Sequence, residues 1–436
     1  MATQTKAAGR KTAYSESALK VAIVGFGTVG SAVARILCNG LNQPLLRLTH
    51  VFNRNVGRKI ADWVPDDVRW TDDIEEILSS DADVMVEVVG GVKPAGDWVK
   101  RALASGKSVV TANKQLIAQC GTELADLAQK AGRHLCFGAS VAGGIPVLSG
   151  LQDGLAGDQL YSIHGVLNGT CNYILTKIES EGISFAQALK EAQEAGFAEA
   201  DPTDDVDGYD ARAKLVILSR VGLRAEVRPD QIACRSIRPI EMIDFAYAHD
   251  LYTRSTVRQI ARAELRDGKL LASVQPAVVR RDSPLAQLVG GQNLVVSTGV
   301  YGGETVFSGH GAGGNPTAVA IVSDLVAVAR NRSEGLENLS SGATSVYPVS
   351  GDFVSPHYVR FNVRDQVGII ASLATALARY KINIEAVLQK PGCAKTALPF
   401  VFTLEECSTS TLERALEEIS KFPFLTQPPV HLPILS

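Results

Sequence analysis

The segment from Ala192 to Lys214, AQEAGFAEADPTDDVDGYDARAK, gathers seven carboxylates and ends in a lysine. Acids and an amine on one segment can hold a cationic ligand and move a proton. The same run could also be a solvated acidic face. Gly196, Pro202 and Gly208 disturb helical backbone, so the sequence predicts that turns present these carboxylates. A second lysine, Lys114, closes SVVTANK, just past the end of an apolar run. It is either a ligand contact or a surface lysine at a helix start. The third constellation is GFGTVG, with Gly25, Gly27 and Gly30. Such glycines permit a tight turn and the close approach of a pyrophosphate to a helix N-terminus.

These residues need elements to carry them. LKVAIV before Gly25 reads as a buried strand, and TVGSAVARIL after Gly27 reads as a helix, the setting in which GxGxxG binds a dinucleotide. Contacts would come from Gly25, Phe26, Gly27, Thr28, Val29 and Gly30. Further strands are expected at 46–53, 84–89 and 108–111, with helices near 74–78, 98–104 and 123–131. This alternation predicts a doubly wound parallel sheet of Rossmann type. Gly90, Thr111 and Lys114 would then lie at the carboxyl ends of strands, where open sheets bind ligands. A second glycine-rich stretch, GHGAGG with Gly311, is a possible lip for cofactor or substrate. NPTAVAIVSDL after it reads as a capped helix.

The predicted organisation is a flexible extension at 1–18 and a dinucleotide-binding domain at 19–146 with a return helix at 315–330. An α+β substrate and dimerisation domain at 147–314 follows, then a linker at 331–356 and a small domain at 357–436. The last reads βαββα with a possible closing strand near 430–435, which suits a ferredoxin-like sandwich. With 46% hydrophobic residues, each domain can bury a core. A net charge of −3 without a basic stripe argues against nucleic acid. No run of about eighteen apolar residues suggests a membrane span. The seven cysteines never form a CxxC pair, which fits a reducing cytoplasm.

GFGTVG, TANK and A-x3-GFAEADPTDDVDGYDARAK, in this order, resemble homoserine dehydrogenase over about residues 19–330, and the tail from His357 resembles an ACT domain. The resemblance implies reversible reduction of L-aspartate 4-semialdehyde to L-homoserine by NADP or NAD. It implies that Glu199, Asp205 and Asp210 hold the substrate, that Lys214 donates the proton, and that Lys114 is a second functional lysine. The family often binds sodium through a glutamate and backbone carbonyls, here those of Val141, Gly143 and Ile145, yet Gly138 stands where the glutamate is expected. An ACT tail implies an amino-acid effector, with threonine the expected one, held near Asp365, Gly368 and Asn383. It also implies a homodimer or homotetramer. Two other readings share these residues: a dehydrogenase of another small amino-acid-like aldehyde, and a catalytically silent sensor of nicotinamide and amino acid.

Cofactor choice has its own signal. An acid at the end of the second strand would grip the ribose hydroxyls of NAD, but this strand runs into HVFNRNVGRK. Positive charge there suits a 2′-phosphate, with Arg54 as the main contact.

Overall fold

The computed structural model describes residues 18–39, 44–251, 255–288, 290–331, 344–390 and 392–435. The N-terminal extension, apart from Ala18, and most of the expected linker lie outside these residues. The chain divides into two compact units, Met1–Gly144 with Gly313–Ser341 and Ile145–Ala312 with Gly342–Ser436.

The first unit is built on a parallel sheet of six strands in the order β3-β2-β1-β4-β5-β6. These are β1 (Leu19–Val24), β2 (Leu46–Phe52), β3 (Arg69–Thr71), β4 (Val84–Glu87), β5 (Ser108–Thr111) and β6 (Leu135–Cys136). Every residue of β4 and β5 is buried, because helices cover both faces of a parallel sheet and leave no strand face for water. The return helix, Gly314–Arg330, packs Ala318, Ile321, Val322 and Leu325 into the core that holds Val33, Ala34 and Leu37 of helix Thr28–Cys38. The helix expected at 123–131 instead starts at Lys114, because Asn113 caps it by accepting from the Leu116 amide.

In the second unit a mixed sheet runs through strands Gly303–His310, Gln292–Gly299, Leu160–Val166, Ser255–Arg266 and Lys269–Arg280. It continues through Val430–Leu435, Val354–Val363, Leu398–Ser408 and Ile384–Leu388. The last four, with helices Ile369–Arg379 and Thr409–Ile419, have the strand order 4-1-3-2 of a ferredoxin-like sandwich. The sequence places the first of these strands at His357, but pairing starts at Val354, inside the segment read as linker.

The tail is bound into this unit. Val278 and Val279 pair with Ile434 and Leu435. Arg360, fully buried, donates from Nε to Asp244 Oδ1 at 2.7 Å and from Nη2 to the Pro239 carbonyl at 2.7 Å, and Tyr358 donates to the same Asp244 oxygen at 2.8 Å. Breaking such a buried pair costs about 3–5 kcal/mol. One apolar cluster also joins Tyr358, Val401 and Leu432 to Phe245 and Ile174.

Candidate active site

In the first unit the glycines of GFGTVG have distinct physical tasks. Gly25 has φ +107°, a conformation open to glycine but costly for other residues. A Cβ on Gly30 would lie 1.9 Å from the Gly25 carbonyl oxygen, so the turn closes only without one. A Cβ on Gly27 would meet nothing within 4 Å. That open side faces the start of helix Thr28–Cys38, whose first amides receive no side-chain cap. A cradle of backbone N–H groups with space above it fits a pyrophosphate. Thr28 is exposed and Val29 half-buried there. Phe26 differs from expectation: its ring is buried against Trp70 (centroids 4.8 Å apart), so only its backbone remains for a ligand.

The carboxyl ends of β4 and β5 are tied by a side chain that the sequence reading passed over. Glu87, wholly buried, accepts from the amides of Val89 (2.8 Å) and Gly90 (3.1 Å) and from Thr111 Oγ1 (2.6 Å). Thr111 Oγ1 accepts from the Asn113 amide at 3.0 Å, and Asn113 Nδ2 donates to the Gly91 carbonyl at 2.6 Å. Thr111 therefore serves this network through its side chain. Gly90 has φ +82° with open space beside its Cα. Lys114 is the first residue of its helix and half-buried. Arg54 is exposed just past β2.

Asp324, on the return helix, explains Gly138. Its Oδ2 accepts from the Gly138 amide at 2.9 Å, and a Cβ at 138 would come within 2.8 Å of its Oδ1. Burial pushes this carboxyl up to about 7. Position 138 thus has no room for a side chain, and the carboxylate beside it is committed to a backbone amide and pushed toward its neutral form. No group of three or more His, Cys, Asp or Glu that could hold a metal ion occurs among the described residues. Position 138 therefore supplies no side-chain ligand to a cation held by the carbonyls of Val141, Gly143 and Ile145.

The second unit assembles the acid–lysine cluster, and helices carry it where the sequence suggested turns. Asp205 lies on the short helix Thr203–Val206, and Asp210 and Lys214 lie on helix Tyr209–Gly222. Pro202 and Gly208, at φ +86°, bound the two helices instead of breaking one. The spacing of four puts Asp210 and Lys214 on one face. Lys214 Nζ donates to Asp210 Oδ2 at 2.7 Å and to the Leu167 carbonyl at 2.6 Å. Asn168 Nδ2 donates to Asp205 Oδ1 at 2.6 Å and Asp210 Oδ2 at 2.8 Å. Asn293 Nδ2 reaches the same Leu167 carbonyl at 2.8 Å. Asn168, Asp210, Lys214 and Asn293 are all buried, so these charges interact in a medium far less polarisable than water.

The other acids of the run separate from the cluster. Glu199 is exposed, and its backbone carbonyl accepts from Gln193. Asp201 accepts from the Thr203 amide, and Asp207 pairs with Arg238 and Ser236. Gly311 lies against Asn293, whose Cγ would be 2.0 Å from a Cβ at 311. It therefore leaves room for a side chain of the cluster. Asn168 and Asn293 were missed because a single polar residue just past a strand, or at the start of one, has no motif. The available signal was NGT opening a helical pattern, since asparagine is a preferred helix cap.

Comparison with known proteins agrees with both units. A profile described as homoserine dehydrogenase matches residues 146–326, one described as its NAD-binding domain matches 25–138, and an ACT domain profile matches 357–424. The chain is 39% identical to a homoserine dehydrogenase of Mycobacterium tuberculosis over 86% of its own length and 87% of that protein's. A crystal structure of a homoserine dehydrogenase from Thiobacillus denitrificans superposes with a TM-score of 0.88 at 28% identity, covering 96% of this chain and 98% of that one. A hyperthermophilic archaeal homoserine dehydrogenase in complex with NADPH matches with a TM-score of 0.63 at 28% identity, over 74% of this chain and 99% of that one.

Proposed function

The chain belongs to the homoserine dehydrogenase family, and on that premise we propose how its residues divide the reaction. It is an NAD(P)-dependent oxidoreductase that interconverts L-aspartate 4-semialdehyde and L-homoserine in amino-acid biosynthesis. The bound nicotinamide exchanges a hydride with the substrate carbon that carries the aldehyde or alcohol oxygen. Asp205 and Asp210 hold the substrate ammonium, with Glu199 adding a charge from the neighbouring turn. Lys214 Nζ gives a proton to the oxygen as the alcohol forms and takes it back in oxidation. Leu167, through its carbonyl, and Asp210 fix the direction of that ammonium. Gly25, Gly27, Gly30 and the uncapped amides after them hold the pyrophosphate. Glu87 fixes the turn at Gly90, and Lys114 contacts cofactor or substrate. The observation that carries this reading is the network joining buried Asn168, Asp210 and Lys214 to half-buried Asp205.

Arg54 selects NADP(H) through the 2′-phosphate, supported by its exposed place just past β2. Homoserine oxidation with NADP+ and NAD+, followed by nicotinamide absorbance, tests this. Arg54→Ala is expected to lower the NADP/NAD ratio of kcat/KM about tenfold or more, the size of a charge-assisted contact. An unchanged ratio removes Arg54 from the site.

Threonine inhibits through the tail, which also pairs copies of the chain into a dimer or tetramer in the cytoplasm. Gly368, at φ +92°, opens the tail's first helix, and Asp365 lies beside it with its amide on the Lys395 carbonyl. Asn383 Nδ2 donates to Glu405. Deleting the tail would remove Arg360, leave Asp244 buried without that partner and unpair Val278 and Val279 from Ile434 and Leu435, so point variants are the sound test. Asp365→Ala and Asn383→Ala should raise the threonine concentration for half-inhibition about tenfold with uninhibited turnover unchanged. Equal sensitivity in the variants, or none in the parent, refutes this role.

A further inference from the structure

We infer that Asn168 is a positioning residue whose amide holds the two substrate-binding carboxylates together and sets the direction of Lys214. Asp205 and Asp210 carry like charge, come from two different helices and are both held by one amide nitrogen. Like charges brought this close repel, and inside a protein the repulsion is little screened. A neutral donor between them offsets it without adding charge that would compete with a substrate ammonium.

The orientation of the Asn168 amide is fixed by its other end. Asn168 Oδ1 accepts from the Cys171 amide at 2.8 Å, as the cap of helix Gly169–Glu181. A backbone N–H can only donate, so the oxygen must face the helix and the NH2 group must face the acids. The two N–H bonds of Nδ2 then serve Asp205 Oδ1 and Asp210 Oδ2. Asp210 Oδ2 also accepts from Lys214, so the amide reaches the lysine through a shared oxygen. The residue before Asn168 supplies another acceptor for Lys214, the Leu167 carbonyl, which Asn293 also holds. The pair Leu167–Asn168, just past strand Leu160–Val166, thereby sets both ends of the cluster. A Cβ on Gly169 would lie 2.8 Å from the Gly291 carbonyl oxygen, which leaves this pair little room to shift.

The inference rests on the assignment of Asp205, Asp210 and Lys214 to the substrate, and two substitutions separate its parts. Asn168→Ser keeps a good helix cap but is too short to bridge two carboxylates. Asn168→Asp keeps shape and cap, and turns a donor toward the acids into a third carboxylate. In the full-length protein, Asn168→Ser should keep its thermal midpoint within a few degrees and its KM for NADP+ within about twofold. It should raise KM for L-homoserine about tenfold or more and lower kcat. Asn168→Asp should be weakest at alkaline pH and recover as pH falls, because one shared proton restores a donor among three acids. Its kcat/KM relative to the parent should rise about tenfold from pH 8.5 to pH 6. A cap role alone predicts that both variants match the parent at every pH, and that result overturns the inference. If Lys214→Ala and Asp205→Asn also match the parent, the assignment of the cluster itself fails. If those two lose activity and Asn168→Ser does not, only the role of Asn168 fails.

Discussion

Lys214→Ala lowers turnover of L-homoserine by about 10²–10⁴-fold while leaving the affinity for NADP+ nearly unchanged, the range for removing a general acid–base group. The expectation follows from the placement of Nζ, buried and held at 2.6–2.7 Å by a carbonyl and a carboxylate. Such a group pays little to orient at the moment of reaction. Alanine also strips Asp210 of its ion-pair partner, so lost activity alone could reflect lost structure. Lys214→Arg separates the two effects. Arginine keeps the positive charge beside Asp210, but a guanidinium does not give up its proton in proteins. The arginine variant should therefore fold and bind both ligands, yet remain at least about a hundredfold slow. Near-normal turnover in either variant removes Lys214 as the proton carrier.

Much of the fold was legible in the sequence for physical reasons that act locally. Strands buried on both faces, as in VMVE and SVVT, read as short runs dominated by apolar and β-branched residues, and the glycines after β1 mark a turn that other residues cannot make. Helix limits near the site were less legible. Pro202 and Gly208 looked like breaks within one segment, whereas each bounds a helix, and Gly208 does so through its left-handed conformation. The extent of the tail's sheet was hidden because Val354 and Ser355 lie in a stretch of turn-forming residues, and their pairing with Ser408 and Cys407 is a tertiary choice.

The site divides along the same line. Charge and spacing marked the acidic run and its lysine, and the resemblance singled out Asp205, Asp210 and Lys214 within it. Asn168, Asn293 and Glu87 were not legible, since each acts across long sequence separations: Asn168 on Asp205 and Asp210, Asn293 on Leu167, and Glu87 on Thr111. Gly138 shows the limit most plainly. Its missing side chain read as a lost metal ligand, and the structure gives the reason as the carboxylate of Asp324, 186 residues away in sequence.

The central claim is that the carboxylates of Asp205 and Asp210 recognise the substrate ammonium, and the most direct measurement compares two aldehydes that differ only in that group. L-aspartate 4-semialdehyde and its deamino analogue, succinic semialdehyde, offer the same reacting centre to Lys214. A site whose acids bind an ammonium loses that charged contact with the analogue, and sites built to bond a polar group reject the ligand that lacks it strongly. The parent should therefore favour the aminated aldehyde by about 10³-fold or more in kcat/KM. Asp205→Asn keeps the shape of the side chain and removes one charge. It should lower kcat/KM for the aminated aldehyde while sparing the analogue, so the ratio of the two falls about tenfold or more. If the ratio is the same in parent and variant, with both aldehydes slowed together, the carboxylates do not read the ammonium and the account is wrong.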